Sequence, residues 1–120
     1  MKPHLEETTF GSITIDGQTF EHDIVIDLDG TVKKRKKKLS KAIYGTSHLM
    51  SLDEAKFIFQ KGVKRLIIGS GHYGMLKLSN EAANYLAGKN CMITLKPTNE
   101  ALRAWNGASG AVIGLFHITC

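Results

Sequence analysis

Gly69-Ser70-Gly71-His72-Tyr73-Gly74 is the segment in which residue type and spacing come nearest to a chemical motif. It satisfies G-x-G-x-x-G and ends a short apolar run, Arg65 to Gly69, of strand length. In a dinucleotide fold such glycines let backbone N–H groups approach a pyrophosphate at a helix N-terminus. The surroundings do not complete that motif. The next helix signal is Ser79, and the following strand ends on Lys96-Pro97-Thr98 with no carboxylate to hold a ribose. Nicotinamide or flavin binding is not expected, and no cofactor is. Two readings remain: a turn that permits tight backbone packing, or a loop that holds a small anion such as phosphate or a nucleotide. Ser70 beside His72 also invites a hydrolase reading, but a nucleophile elbow is G-x-S-x-G and Ile68 stands at its first glycine position.

Tyr44-Gly45-Thr46-Ser47-His48 lies ahead of a long helix signal, where hydroxyls and unsatisfied N–H groups can hold an anion or simply turn the chain. His22, His72 and His117 have no metal-ligand spacing, and Cys91 and Cys120 form neither a CxxC pair nor part of a four-ligand set. No metal and no disulfide are expected, and His22 and His117 read as hydrogen-bonded edge or core histidines.

These residues need elements to position them. Between Phe10 and Lys36 the apolar period is two, interrupted by Asp16-Gly17 and Asp29-Gly30, which predicts an antiparallel three-stranded meander. From Ser51 the pattern becomes helix, strand, helix, strand, helix, strand. Ser51 and Glu54 form a capping box, Gly62 ends that helix, Ser79 and Thr98 cap the next two, and Cys91 to Leu95 and Ala111 to Ile118 are strands. The continuous apolar run at Ala111 to Ile118 fits a central strand covered on both faces. The fold class is therefore α/β: a mixed central sheet with flanking helices plus the N-terminal antiparallel three-stranded meander, in a single domain over 1–120, with the meander at 10–38 and the α/β unit at 51–120. If the strands ending at Gly69, Leu95 and Ile118 are parallel, their following loops emerge at one sheet edge, where open α/β sheets bind ligands. Gly69, Ser70, Gly71, His72, Tyr73, Thr98 and Cys120, joined by Ser47 and His48, are the candidate ligand-binding residues on that ground. No catalytic residues are assigned.

The 120 residues carry 16 Lys plus Arg and 11 Asp plus Glu, a net charge of +5. Six positives form one run: Lys33, Lys34, Arg35, Lys36, Lys37 and Lys38. Without them the remainder is close to neutral, so the basicity is local. A strand charged on both faces belongs at a sheet edge. As a partner site the run could neutralise phosphates or dock an acidic surface. No aromatic is interleaved for base stacking, and nucleic-acid binding is the weaker reading. There is no signal-peptide pattern near the N-terminus and no apolar run of spanning length, so a cytoplasmic protein without membrane contact is expected.

Phe10-Gly11-Ser12-Ile13, Asp23-Ile24-Val25-Ile26, Asp29-Gly30, Tyr44-Gly45-Thr46-Ser47-His48, Leu66 to Gly71, Pro97-Thr98-Asn99-Glu100-Ala101 and His117-Ile118-Thr119-Cys120 together resemble a small α/β family of unknown molecular function. That family includes the adipogenesis-associated domain protein and mitochondrial respiratory complex I assembly factor three. The likeness runs from Phe10 to Cys120, and the Gly-Thr-Ser-His block is similar to the prokaryotic branch. The resemblance implies a mixed sheet with flanking helices and brings no established activity, cofactor or catalytic residue. The expectation is a non-enzymatic protein, monomer or homodimer, that acts on an unidentified protein partner or as an assembly factor. A small anion at the glycine turn is the alternative, and nucleic acid on the basic run the second.

Overall fold

The computed structural model describes residues 2–120. From the N-terminus, β1 (Leu5–Thr9), β2 (Ser12–Ile15) and β3 (Gln18–Phe20) form an antiparallel three-stranded sheet in that order. The β2–β3 turn is Asp16-Gly17, with φ of 47° and 83°, the two positive angles of a two-residue hairpin. β4 (Ile24–Ile26) and β5 (Val32–Lys34) make a second hairpin with a wider turn. There the Gly30 N–H bonds Asp27 O and the Asp27 N–H bonds Thr31 O, both at 2.9 Å. Gly30, at φ 89°, closes this turn as a bulge. The chain continues through α1 (Lys38–Tyr44), β6 (Leu49–Met50), α2 (Leu52–Ile58), β7 (Arg65–Ser70), β8 (Lys77–Leu78), α3 (Asn80–Gly88), β9 (Met92–Lys96), α4 (Thr98–Gly107) and β10 (Val112–His117).

The expected mixed sheet, flanking helices and N-terminal antiparallel three-stranded sheet are all present, but the small sheet is assembled differently from the sequence expectation. Its third strand is β1, a polar segment that pairs with β2. The alternating stretch from Phe20 to Leu28 bends at Glu21-His22 instead of continuing as one strand, so β4 and β5 leave the small sheet for the large one. Ile24, Val25 and Ile26 are all buried, which only a sheet covered on both faces allows.

That large sheet has the order β5-β4-β10-β7-β9. β10 runs parallel to β7 and antiparallel to β4, β7 is parallel to β9, and β5 is an edge. Successive residues of β7 serve opposite cores, as a two-residue period requires. Leu66 and Ile68 join α2 and α3 through Ala55, Ile58, Ala82 and Leu86, whereas Ile67 joins α4 and the small sheet through Ala101, Trp105 and Ile13. Trp105 meets Phe116 edge to face at 6.0 Å. Gly114 makes room for that pair, since an added Cβ would lie 2.6 Å from Phe116 Cε2.

Ser51 Oγ accepts from the Glu54 N–H at 3.1 Å and Ser79 Oγ from the Ala82 N–H at 3.0 Å, so both serines cap their helices. α2 ends at Ile58, ahead of Gly62. Thr98 is the first helical residue and not a cap; its hydroxyl is used elsewhere, as described below. α1, β6 and β8 were not anticipated from the sequence. Among the described residues, no helix is long and apolar enough to cross a membrane.

Candidate functional site

Parallel pairing of β10, β7 and β9 brings the ends of these strands to one sheet edge. The loops after them pack into one unit. Thr98 Oγ accepts from the Gly71 N–H at 2.8 Å and donates to His117 O at 2.5 Å, and the Thr98 N–H bonds Gly71 O at 3.1 Å. The His72 N–H bonds Thr119 O at 2.8 Å, while the Tyr73 and Met75 N–H groups share Cys120 O at 3.0 and 3.1 Å. The Gly74 N–H bonds Gly71 O at 3.3 Å. The amides that would cradle a phosphate are thus engaged by Thr98, the last two residues and the turn itself. Gly71 has φ of 99°, and an added Cβ would overlap the Cys120 carbonyl and lie 2.8 Å from His117 Cδ2. Gly69 is less tightly enclosed, with 2.9 Å from an added Cβ to Thr98 Oγ1. Ser70 is buried. The glycines here serve close packing of backbone on backbone.

His48 reaches the same neighbourhood through His117, and Ser47 lies beside Arg35. The His48 and His117 rings meet edge to face at 5.3 Å, and His48 O accepts from the Lys77 N–H where β6 meets β8. Ser47 contributes its carbonyl, not its hydroxyl, to the guanidinium of Arg35.

That guanidinium is the centre of a second constellation, which the sequence reading did not assemble. Arg35, placed there in an exposed basic run, is 3% exposed. Its Nε and Nη2 donate to the two oxygens of Glu54 at 2.7 and 2.9 Å, Nη1 donates to Asp23 at 3.0 Å, and Nη2 also donates to Ser47 O at 2.9 Å. Asp23 in turn accepts from His117 Nδ1 at 2.8 Å and from the Ile118 N–H at 2.9 Å. Ser40 Oγ donates to Glu54 at 2.5 Å and accepts from the Ser51 N–H at 2.9 Å. Glu54 therefore completes only half a capping box; its carboxylate faces the arginine. Among the described residues, no buried side-chain nitrogen or oxygen lacks a hydrogen-bond partner.

The electrostatics follow from this geometry. Burial alone would raise the Asp23 pKa, but the hydrogen bond and charge of His117, the Ile118 N–H and the nearby Lys37 outweigh it and hold the carboxyl at about 2. Burial would lower the pKa of Arg35, yet Glu54 and Asp23 more than reverse that and keep the guanidinium cationic. For His48, burial together with the charges of His117, Arg35 and Lys37 depresses the imidazole. Burial pushes the Cys91 thiol up; both Cys91 and Cys120 are free. Among the described residues, no group of three or more His, Cys, Asp or Glu side chains is arranged to hold a metal ion.

The rest of the basic run has other fates. Lys33 pairs with Asp27 at 2.6 Å, Lys37 lies 3.6 Å from Asp23, and Lys36 sits over the Phe57 ring at 4.9 Å. Beside the glycine turn, Phe10 contacts the rings of His72 and Tyr73, each at 6.0 Å between centroids. Phe10, Tyr73 and Met75 are 56, 74 and 51% exposed, an apolar patch on the same sheet edge. Phe10 and Met75 were not candidates from the sequence. A lone Phe ahead of a glycine turn carries no signal until the fold places it beside Tyr73. Arg35 did offer one: it is the single arginine among five lysines, and a planar fork suits a bidentate carboxylate as an ammonium does not.

A mixed sheet of this order with helices on both faces makes the chain a small α/β protein. The chain belongs to the family described as Protein of unknown function (DUF498/DUF598), which it matches over residues 5–111. It is similar to the conserved hypothetical protein PH1505 from Pyrococcus horikoshii OT3, with 35% identity, a TM-score of 0.87, and coverage of 97% of this chain and 98% of that one. It is similar also to MT938, with 31% identity, a TM-score of 0.82, and coverage of 99 and 100%. A Mth938-like domain from Bordetella pertussis shares the fold at 13% identity, with a TM-score of 0.63 and coverage of 97 and 85%. The family resemblance read from the residues accordingly holds at the level of a small α/β family of unknown function.

Proposed function

We propose that this protein is non-enzymatic and cytoplasmic, and acts by protein interaction or as an assembly factor. The observation that carries the reading is the exposed patch of Phe10, Tyr73 and Met75 with His72 beside it. Exposed aromatic clusters are where interface energy concentrates, because a ring contributes much apolar area and has few rotamers to freeze. The patch is also rigidly presented. The Gly11 N–H bonds Ile118 O at 2.8 Å and the Tyr73 N–H bonds Cys120 O, so both aromatic turns are tied to the end of β10. Engagement of the glycine-turn amides argues against the anion alternative, since a phosphate would have to displace the terminal carbonyls. The buried cluster fits a structural role better than a catalytic one, because Asp23, Arg35, Glu54 and His117 are closed from solvent and bonded to one another.

The test is co-purification from the source cells with wild type and a Phe10→Ser/Tyr73→Ser variant as baits, read by quantitative mass spectrometry. A defined partner depleted at least about tenfold on the variant, whose melting is unchanged, is the expected result. Turnover of a metabolite in an activity screen, abolished by His72→Ala or Cys120→Ser, would overturn the reading.

A further inference from the structure

The cations that were not absorbed into the buried cluster line an edge. β5 is the outer strand of the large sheet, and its hydrogen-bond register shows which of its main-chain groups are open. The Arg35 N–H bonds Asp23 O and the Asp27 N–H bonds Thr31 O, so Val25 and Lys33 between them form the hydrogen-bonded pair of the ladder. By alternation, the N–H and C=O groups of Val32 and Lys34 point away from β4 to the open side. A cleft of about 370 Å³ lies alongside, with Val25, Ile58 and the half-exposed ring of Phe57 as its apolar part and Lys33, Lys34 and Lys36 as its basic part; its two carboxylates, Asp27 and Glu54, are paired with Lys33 and Arg35.

We propose that this edge is a docking site for an acidic protein segment that adds as a strand to β5 and places one apolar side chain in the cleft. Three features support this occupant together. The unpaired main-chain groups of an edge strand accept another strand, and side-chain pockets beside it select alternate residues of the incoming chain. The lysines favour an acidic segment and repel a second copy of β5, since like charges directly opposite destabilise a strand pair. The cleft has an apolar part that a phosphate backbone would leave unfilled. A nucleic acid would need the whole run for phosphate neutralisation, yet Arg35 is buried against Asp23 and Glu54.

The proposal rests on the interaction reading above but uses a different surface, and its test separates the two. The probe is a fluorescein-labelled peptide of alternating glutamate and valine, followed by anisotropy at low salt. Controls are a peptide of the same composition with its glutamates in one block and a single-stranded oligothymidylate. The expected result is saturable binding of the alternating peptide, weakened at least about tenfold by Lys34→Pro, which removes an outward N–H without touching the ladder. Lys34→Glu/Lys36→Glu, which leaves the strand's N–H groups in place, weakens it comparably, and Phe10→Ser/Tyr73→Ser leaves it unchanged. No binding, or equal binding of the block peptide with no effect of Lys34→Pro, overturns the proposal. Tighter binding of the oligothymidylate, lost on Lys34→Glu/Lys36→Glu, overturns it in favour of nucleic acid.

Discussion

Two polar regions border His117 and close in different ways. Around Arg35, ionised side chains neutralise one another: one guanidinium faces two carboxylates, with Lys37 and His117 on the second of them. Around Gly71, main-chain N–H groups are satisfied by a threonine hydroxyl and by main-chain oxygens of Thr119 and Cys120, with no ionised side chain involved. The first arrangement depends on charge and tolerates little change in it. The second depends on the absence of side-chain volume where backbones meet. The first is therefore broken most directly by a change of charge and the second by a change of side-chain volume.

The largest effect is expected from Arg35→Met. Methionine fills similar space but leaves Asp23 and Glu54 buried without their cation, and removing one partner of a buried pair costs about 3–5 kcal/mol. Denaturant unfolding measures this. Adding Glu54→Gln to Arg35→Met should recover part of the loss, because it removes one uncompensated charge. If the double variant is less stable than the single one, Glu54 contributes through Ser40 and Ser51 more than through the arginine.

Legibility in the sequence differed between the same two regions. The glycine turn announced itself through four closely spaced small residues, and parallel strands ending near Gly69, Leu95 and Ile118 bring it to Thr98 and Cys120. What the motif did not reveal was that the main-chain oxygens of Thr119 and Cys120 take the amides, because that depends on where β10 ends. The charged cluster was illegible for a physical reason. Asp23 alternates with apolar residues, so a strand with one wet face places it in solvent. β4 instead lies in a sheet covered on both sides, and the carboxylate is admitted only because Arg35, 12 residues away, comes with it. Glu54 was masked similarly, since a capping box already accounted for it. α2, α3, α4 and the central strands were legible because caps and apolar periods are local, whereas α1 was not. The bend at Glu21-His22 and the pairing of β1 were not, because they follow from tertiary burial.

Gly71→Ala tests the backbone region. A side chain there combines a φ of 99° with overlap of the Cys120 carbonyl, and strain with overpacking amounts to about 2–4 kcal/mol. Deleting Cys120 should relieve the overlap and leave the strain. Gly71→Ala is then expected to cost less in the shortened chain than in the full one, a non-additivity read from a double-mutant cycle. Equal costs in both backgrounds would mean that the terminal residue moves aside freely and that the turn is not closed by it.

The smallest of these effects, about 2 kcal/mol, concerns acid and separates the two regions most cleanly. The Asp23 carboxyl titrates at about 2 in the folded chain against 3.8 ordinarily, so the folded state binds its proton less readily than the unfolded state. A depressed acid pKa contributes stability that is fully present above the unfolded value and is lost as pH falls through the folded one. Each pH interval of one between the two values is worth about 1.4 kcal/mol, so the contribution is about 2 kcal/mol, lost between about pH 4 and pH 2. Asp23→Asn should flatten this part of the acid limb while lowering stability at neutral pH, where Arg35 loses a counter-charge. Gly71→Ala should lower the whole curve and keep the Asp23 step in the limb, because its added Cβ strains the turn and presses on the His117 ring edge but removes neither Asp23 nor its hydrogen-bond donors. A limb of unchanged steepness in Asp23→Asn would assign acid sensitivity to other carboxylates and remove the charge-based side of the contrast around His117.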